Sequence, residues 1–321
     1  MKIVLTGATG FIGSHLAAEL VKRGHEVYAI IRHAPARELR VVKEFLEDVA
    51  VTTGDLTSYQ SVSGILRSIM PDTVIHLAAL SPVRLSFERP FEYELTNTTA
   101  TMNIVHALLE LPDASQRRLI AAATAEVYGP QPPKPIPEET ALQPSSPYAV
   151  RKAAADLYIR MAFTSLGLHG TVMRPVNTFG RKFDSSFVVE YLVTSMLKGQ
   201  DIYIGAPESV RDYMYIDDHV AAYLSVIKNA AAADRQVFNV STGQGVSNRE
   251  LAMMIARKLG FDTSQIHLGV YPPGYPYRPL ASDQPYIVLD ATKIKEKLGW
   301  KPTVSLEAGL DKTIVYWSTR L

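Results

Sequence analysis

A glycine triplet constrains this chain more than any other feature. Gly7, Gly10 and Gly13 stand at three-residue intervals after a short apolar, β-branched run at 2–6. They open a stretch, 11–22, whose apolar residues recur at helical spacing, and a second apolar run follows at 26–31. Strand, glycine turn, helix, strand predicts the first half of a doubly wound parallel sheet that binds a dinucleotide. Backbone N–H groups at such a turn must approach a pyrophosphate, and the helix must start close against the strand. A side chain at these glycines would obstruct one or the other. A phosphate-free turn in an ordinary α/β protein is the alternative, but the βαβ context favours the nucleotide site. At the end of the second strand the chain reads Ile31, Arg32, His33. Folds of this kind that bind NAD usually carry an acid there, for the ribose hydroxyls. Arg32 suits a 2′-phosphate instead and predicts NADP, with NAD as the alternative.

The 321 residues, 47% apolar and 20% charged, suffice for a sizeable core in one large domain or two lobes. A net charge of +1 offers no field that argues for nucleic acid or a membrane surface as partner. With no cysteine there is neither a disulfide nor a thiolate metal site. The first residues read as a core strand rather than a signal peptide, and no apolar run reaches membrane-spanning length. The expectation is a cytoplasmic protein.

Further strands are expected at 49–56, 73–79 and 118–124, with helices at 57–70 and 91–111, the latter carrying Asn97. Strands alternating with helices imply a parallel sheet whose ligand crevice lies at the strand carboxyl ends. Asp55, at such an end, suits either an adenine amino group or the capping of the next helix. The fourth strand ends in small residues, so a cofactor could lie on its backbone.

After the fifth strand comes Thr124-Ala125-Glu126, and later Ser145-Ser146-Pro147-Tyr148 with Lys152 four residues on. Serines and a proline before a helical pattern mark a helix start. Tyr148 and Lys152 then share one helix face. A lysine cation beside a phenol favours the phenolate, a base able to take a proton from a sugar hydroxyl while hydride leaves the same carbon. A Tyr-x-x-x-Lys pair alone is more often a surface pair, but here it follows the glycine turn and a threonine at a strand end. Asp217 and Asp218 could suggest a metal pair, but helix capping fits them better, and the histidines show no ligand spacing; no metal is expected.

The chain resembles an extended short-chain dehydrogenase/reductase that modifies nucleotide sugars. The matching stretches run almost end to end: GATGFIG at 7–13, GDL at 54–56, HLAA at 76–79, ATAEVYG at 123–129, SPYAVRK at 146–152, RPVNTFG at 174–180, VRDYMYIDD at 210–218, FNVSTG at 238–243 and LGWKP at 298–302. The resemblance implies a Rossmann domain over 1–175 and a smaller mixed α/β lobe over 176–321 that holds the nucleotide sugar, with some chain crossing back. It implies cofactor contacts from Gly7, Gly10, Phe11, Ile12 and Gly13 at the turn, and from Arg32, Asp55 and Leu56 at the second and third strand ends. Leu77, Ala78, Ala79, Tyr148, Lys152 and Pro175 complete that set. It implies substrate contacts from Ser81, Asn177 and Val188, and a diphosphate clamp of Arg211 and Arg278, whose guanidinium forks can each donate twice. The alternative for Arg211 is a surface pair with Asp212. The proline- and tyrosine-rich stretch 271–286 resembles a substrate-covering loop, and a homodimer or dimer of dimers is implied through helices near 92–111 and 148–166.

Members of this group oxidise the sugar at C4 with a bound nicotinamide and then diverge. The 4-epimerases return hydride to C4; the 4,6-dehydratases remove the C5 proton, expel the C6 hydroxyl and return hydride to C6. Glu126 stands where dehydratases carry a carboxylate base, so the catalytic set expected is Thr124, Glu126, Tyr148 and Lys152. Ala125 departs from the pattern, because an Asp there can protonate the leaving hydroxyl. The resemblance points first to a GDP-mannose 4,6-dehydratase; a UDP-sugar 4-epimerase, a 4-ketosugar reductase and a non-catalytic NADP-binding regulator are the alternatives.

Overall fold

The computed structural model describes residues 1–32, 44, 46, 48–271, 279 and 282–321. Seven parallel strands form the central sheet: β1 (Lys2–Thr6), β2 (Glu26–Ile31), β3 (Ala50–Thr53), β4 (Thr73–His76), β5 (Arg118–Ala122), β6 (His169–Pro175) and, much later in the chain, β10 (Gln236–Val240). Their spatial order is β10-β6-β5-β4-β1-β2-β3. The order reverses between β1 and β4, so the carboxyl ends of these two strands frame a crevice. The expected α/β doubly wound fold is observed.

Alternation along the strands explains the layering. Ile3 and Leu5 of β1 join a core that includes Leu16 and Leu20 of helix α1 (Phe11–Lys22). Val4, between them, faces the opposite core, with Leu66 of α2 (Tyr59–Ile69), Ile104 and Leu108 of α3 (Ala100–Leu109) and Ile159 of α4 (Pro147–Ser165). Burial on both faces is what a parallel interior strand requires. A third core gathers residues from the second half of the chain, among them Leu192 and Val193 of α5 (Val188–Leu197) and Leu251 and Ile255 further on. Around it β9 (Val210–Tyr215) pairs in parallel with β7 (Asn177–Phe179) and β13 (Tyr286–Ile287), and antiparallel with β11 (Gly245–Ser247), while β8 (Ile202–Ile204) pairs in parallel with β12 (Ile266–Leu268). Among the described residues no helix is long and apolar enough to cross a membrane.

Three local departures from the sequence pattern have tertiary causes. The helix expected over 91–111 contains a π-helical turn, Glu94–Thr99. That turn carries Asn97, whose side-chain amide donates to the Leu80 carbonyl (2.9 Å) and whose Oδ1 accepts from the Leu80 N–H (2.8 Å). Helix α2 is capped by Ser58, not by Asp55. Asp217 and Asp218 make no cap for their own helix (Ile216–Lys228). Asp218 accepts from the N–H groups of Thr303 and Val304, each at 2.9 Å, and Asp217 pairs with Lys312. These aspartates therefore pin the chain near 303 to the body of the fold.

The most deeply buried charged contact joins β6 to α4. Arg174, fully buried, donates to both carboxylate oxygens of Asp156 (2.8 and 3.1 Å). Asp156→Ala leaves that guanidinium buried and unpaired. It should destabilise the fold by about 3–5 kcal/mol, read from urea unfolding, whereas an exposed partner such as Asp217→Ala should cost about 0–1 kcal/mol.

Candidate active site

The glycine turn fits a dinucleotide because side chains are excluded from it. Gly7 adopts φ +73°, and a Cβ there would stand 2.6 Å from the Ala78 nitrogen, at the end of β4. A Cβ on Gly13 would stand 2.1 Å from the Gly7 carbonyl oxygen. Helix α1 therefore begins against β1, and its N-terminus at Gly10 has no side-chain cap. Its first N–H groups are offered outward, where an anion is favoured. Phe11 and Ile12 lie half-buried in that opening turn.

A buried histidine fixes the facing segment. Burial lowers the His76 pKa to about 3, so the ring is neutral at pH 7. It bridges the hydroxyls of Thr6 (2.8 Å) and Thr101 (3.0 Å), and Thr6 Oγ1 also accepts from the Ala78 N–H. Leu77, Ala78 and Ala79 are thus held half-exposed beside the glycines, with the Asn97 clamp one residue further on. Arg32 is exposed at the end of β2. Asp55, exposed at the end of β3, accepts from the Thr57 N–H and hydroxyl. These two bonds, with a smaller effect of Arg32, hold its carboxyl below the usual range. Asp55 thus closes the turn at 55–57 and does not cap the next helix, which Ser58 does; Leu56 lies half-buried beside it.

The chemistry-bearing residues meet at the end of β5. Thr124 caps a short 3-10 turn, Ala125–Tyr128, by accepting from the Glu126 N–H (3.3 Å). Ser146 caps α4, with Pro147 in its first turn and buried Tyr148 next. The Tyr148 hydroxyl hydrogen-bonds with Thr124. Burial pushes this phenol well above its ordinary pKa; the Thr124 bond opposes that push, and the nearby Glu126 charge adds to it. Lys152 is equally buried, and burial pulls its ammonium down to about 8 against the opposing charge of Asp156. Its Nζ donates to the Ala122 carbonyl at 2.6 Å. The sequence pairs Lys152 with the phenol; the structure directs it to the β5 backbone and gives Tyr148 the neighbours Thr124 and Glu126. Tyr148 is therefore a neutral phenol at pH 7 in this arrangement.

Glu126, half-buried, is held from far along the chain. Gln284 Nε2 donates to its carbonyl oxygen (3.1 Å) and to its carboxylate Oε2 (2.9 Å). The preceding residue, Asp283, pairs with buried Arg211 at 2.8 Å. Arg211 therefore does not pair with Asp212, which accepts from Ser241, Thr242 and Gly243. Asn177 and Ser81 are exposed, Val188 and Pro175 half-buried. Arg278 lies outside the described residues. Sequence reading missed Gln284, which carries no motif and sits in a stretch that reads as loop.

A family model described as GDP-mannose 4,6 dehydratase matches residues 4–313. The chain belongs to the extended short-chain dehydrogenase/reductases, among the nucleotide-sugar epimerases and dehydratases. It is an enzyme of that dehydratase/epimerase type. A UDP-glucose 4-epimerase of Mycolicibacterium smegmatis is 30% identical over 333 residues, covering 100% of this chain and 99% of that protein. A dTDP-glucose 4,6-dehydratase of Xanthomonas campestris is 28% identical and covers 98% of this chain and 93% of that one. Among solved structures, a UDP-glucose 4-epimerase of Thermotoga maritima with UDP-glucose superposes with a TM-score of 0.87 at 29% identity, covering 99% of both chains. A dTDP-glucose 4,6-dehydratase of Streptomyces venezuelae with NAD bound gives 0.87 at 26%, covering 100% of this chain and 98% of that one.

For this family member the glycine cradle yields a direct test. Gly13→Ala should weaken binding of a nicotinamide dinucleotide by at least about tenfold, read by quenching of protein fluorescence, with far-ultraviolet circular dichroism retained.

Proposed function

We propose that the protein is a nucleotide-sugar 4,6-dehydratase, with GDP-mannose the first substrate to test. The observation that carries the proposal is a carboxylate, Glu126, in the same short turn as Thr124 and close enough to Tyr148 for its charge to act on the phenol. An epimerase needs no base at this position; removal of the C5 proton does.

The turn of Gly7, Gly10 and Gly13 would hold a nicotinamide dinucleotide, which would supply a hydride acceptor for C4, the same hydride for C6, and a positive charge that favours the Tyr148 phenolate. Tyr148 takes the proton of the C4 hydroxyl, which Thr124 orients by hydrogen bonding. The resulting 4-ketone acidifies C5–H, and Glu126 removes that proton. With Ala125 beside it, Glu126 then returns the proton to the departing C6 hydroxyl, so one carboxylate serves as base and acid and one water leaves; the hydride added at C6 is matched by a proton added at C5, which balances the one first taken by Tyr148. Lys152, bonded to the Ala122 carbonyl, keeps α4 seated against the end of β5. Arg211 is the candidate for the substrate diphosphate, which would replace the Asp283 carboxylate on its guanidinium.

The GDP-mannose preference draws on the stretches 76–90, 186–192 and 205–213. Arg32 supports NADP over NAD. The 4-epimerase reading draws on the relatives named as UDP-glucose 4-epimerases. Purified protein incubated with GDP-mannose, UDP-glucose, UDP-N-acetylglucosamine and dTDP-glucose, each with NAD and with NADP, and read by mass spectrometry, separates the readings. A product lighter by one water is expected from one of them. Conversion without mass change, seen by NMR, overturns dehydration in favour of epimerisation. Glu126→Gln should slow water loss by about a hundredfold or more while retaining C4 oxidation, whereas Tyr148→Phe should abolish both.

A homodimer through the helices at 90–109 and 147–165 is supported by the exposure of Phe91 (82%), Leu95 (50%) and Leu157 (52%) on neighbouring helical surfaces. Light scattering should give twice the chain mass for wild type and a reduced mass for Leu157→Glu; a wild-type monomer at micromolar concentration would exclude the dimer.

A further inference from the structure

We infer that Gln284 is a positioning residue for Glu126: its buried amide ties the Glu126 carbonyl and carboxylate Oε2 to one donor and so sets how the carboxylate is presented as a base. The inference rests on the proposed role of Glu126 as the C5 base.

The amide orientation follows from its partners. Gln284 is 1% exposed, and the end facing Glu126 meets two oxygens, the backbone carbonyl and the carboxylate Oε2. A carbonyl oxygen can only accept, so the –NH2 end must point there. The opposite end, Gln284 Oε1, is buried without a hydrogen-bond partner among the described residues. A glutamine that merely filled the core would have both ends satisfied. This one gives its donors to Glu126, while its own acceptor has no partner among the described residues.

The anchor is itself held by the residues that follow it: the Val210 N–H donates to the Pro285 carbonyl (2.9 Å), and Tyr286 and Ile287 pair with β9, contacts that do not involve the Arg211 guanidinium. The amide thus projects from the β9 sheet onto a turn at the end of β5, across 158 residues of sequence. Among the described residues, the ionisable groups near Glu126 include the Tyr148 phenol on α4 and, one residue before Gln284, Asp283 with its Arg211 counter-ion. A donor that cannot turn away favours the charged form of a carboxylate. It also restricts rotation of the carboxylate. Such control matters here because Ala125 supplies no second acid: the carboxylate that takes the proton at C5 must return it to the C6 hydroxyl. No bond forms or breaks at Gln284.

The test follows Glu126 directly. Full-length protein labelled with 13C at the glutamate carboxyl carbon is titrated by NMR, the Glu126 signal being assigned by its loss in Glu126→Gln. In Gln284→Leu, which removes the donor at similar volume, the Glu126 midpoint should rise by about one to two pH units. The acid limb of the dehydration rate should move up with it, while the rate of C4 oxidation stays near wild type. Gln284→Met, which preserves length, should behave alike and substitutes if the leucine variant unfolds. An unshifted Glu126 midpoint overturns the inference. A shifted midpoint with an unmoved rate profile instead overturns Glu126 as the C5 base, and with it the reading on which the positioning role rests.

Discussion

The buried pair of Arg174 and Asp156 is the contact on which the active site depends. Arg174 donates twice to Asp156 on α4 and once to the hydroxyl of Tyr128 (2.8 Å), which belongs to the same turn as Thr124 and Glu126. Tyr128 donates onward to Asn239 on β10 (2.7 Å), and Asn239 donates to the carbonyls of Ile136 and Asp290. One guanidinium thereby joins β6, the helix bearing Tyr148 and Lys152, and the turn bearing Thr124 and Glu126. Two ions taken out of water are costly unless every hydrogen-bonding position is filled. Here the fork–fork geometry, the Tyr128 bond and a further bond to the Glu138 carbonyl (3.1 Å) fill most of them. The pair is a poor source of net stability and a strong constraint on geometry, which a site built from three separate chain segments requires.

The same constraint acts on charge. Asp156 is eight residues after Tyr148 and four after Lys152, so all three lie on one stripe of α4. Its carboxylate opposes the burial that lowers the Lys152 pKa, so the Arg174 partner also helps keep that ammonium charged. Below about pH 8 the lysine is protonated and donates to the Ala122 carbonyl. Because burial depresses its pKa below the unfolded value, Lys152 adds stability as pH rises from about 8 towards 10.5 and costs stability below that window.

Much of this was legible in the chain because it is local. Gly7, Gly10 and Gly13 announce a turn that tolerates no side chain, and the observed Cβ clashes at Gly7 and Gly13 are the reason. Ser146 and Pro147 mark the start of α4, and with it the register that puts Tyr148, Lys152 and Asp156 on one face. The carboxyl edge of the parallel sheet then gathers the glycines, Leu77–Ala79, Asp55 and Thr124 without further information. What the chain conceals is set by tertiary partners. Nothing near Lys152 says that its ammonium finds the Ala122 carbonyl instead of the phenol. Nothing near Asn97 predicts a π-helical turn, since its cause is the backbone of Leu80, 17 residues earlier. Asp217 and Asp218 look like caps because acids are favoured at helix starts, yet their partners belong to the last part of the chain. Gln284 has no local signature at all.

The directions in which burial moves the two central side chains explain how such a site can be dry and still be reactive. Low polarity opposes whichever form is charged, so it raises the phenol of Tyr148 and lowers the ammonium of Lys152. Both effects drive the resting site towards neutrality, and Glu126 adds a negative charge that makes a second anion at Tyr148 still less favourable. A fixed amide donor, Gln284, faces the Glu126 carboxylate, and such a donor favours the charged form. The proposed proton removal from a sugar hydroxyl then requires a positive charge that the resting arrangement of Tyr148, Thr124 and Glu126 does not contain. In the proposed role Tyr148 is therefore a conditional base: it ionises only when a cation is brought against it, and without one the buried phenol keeps its proton.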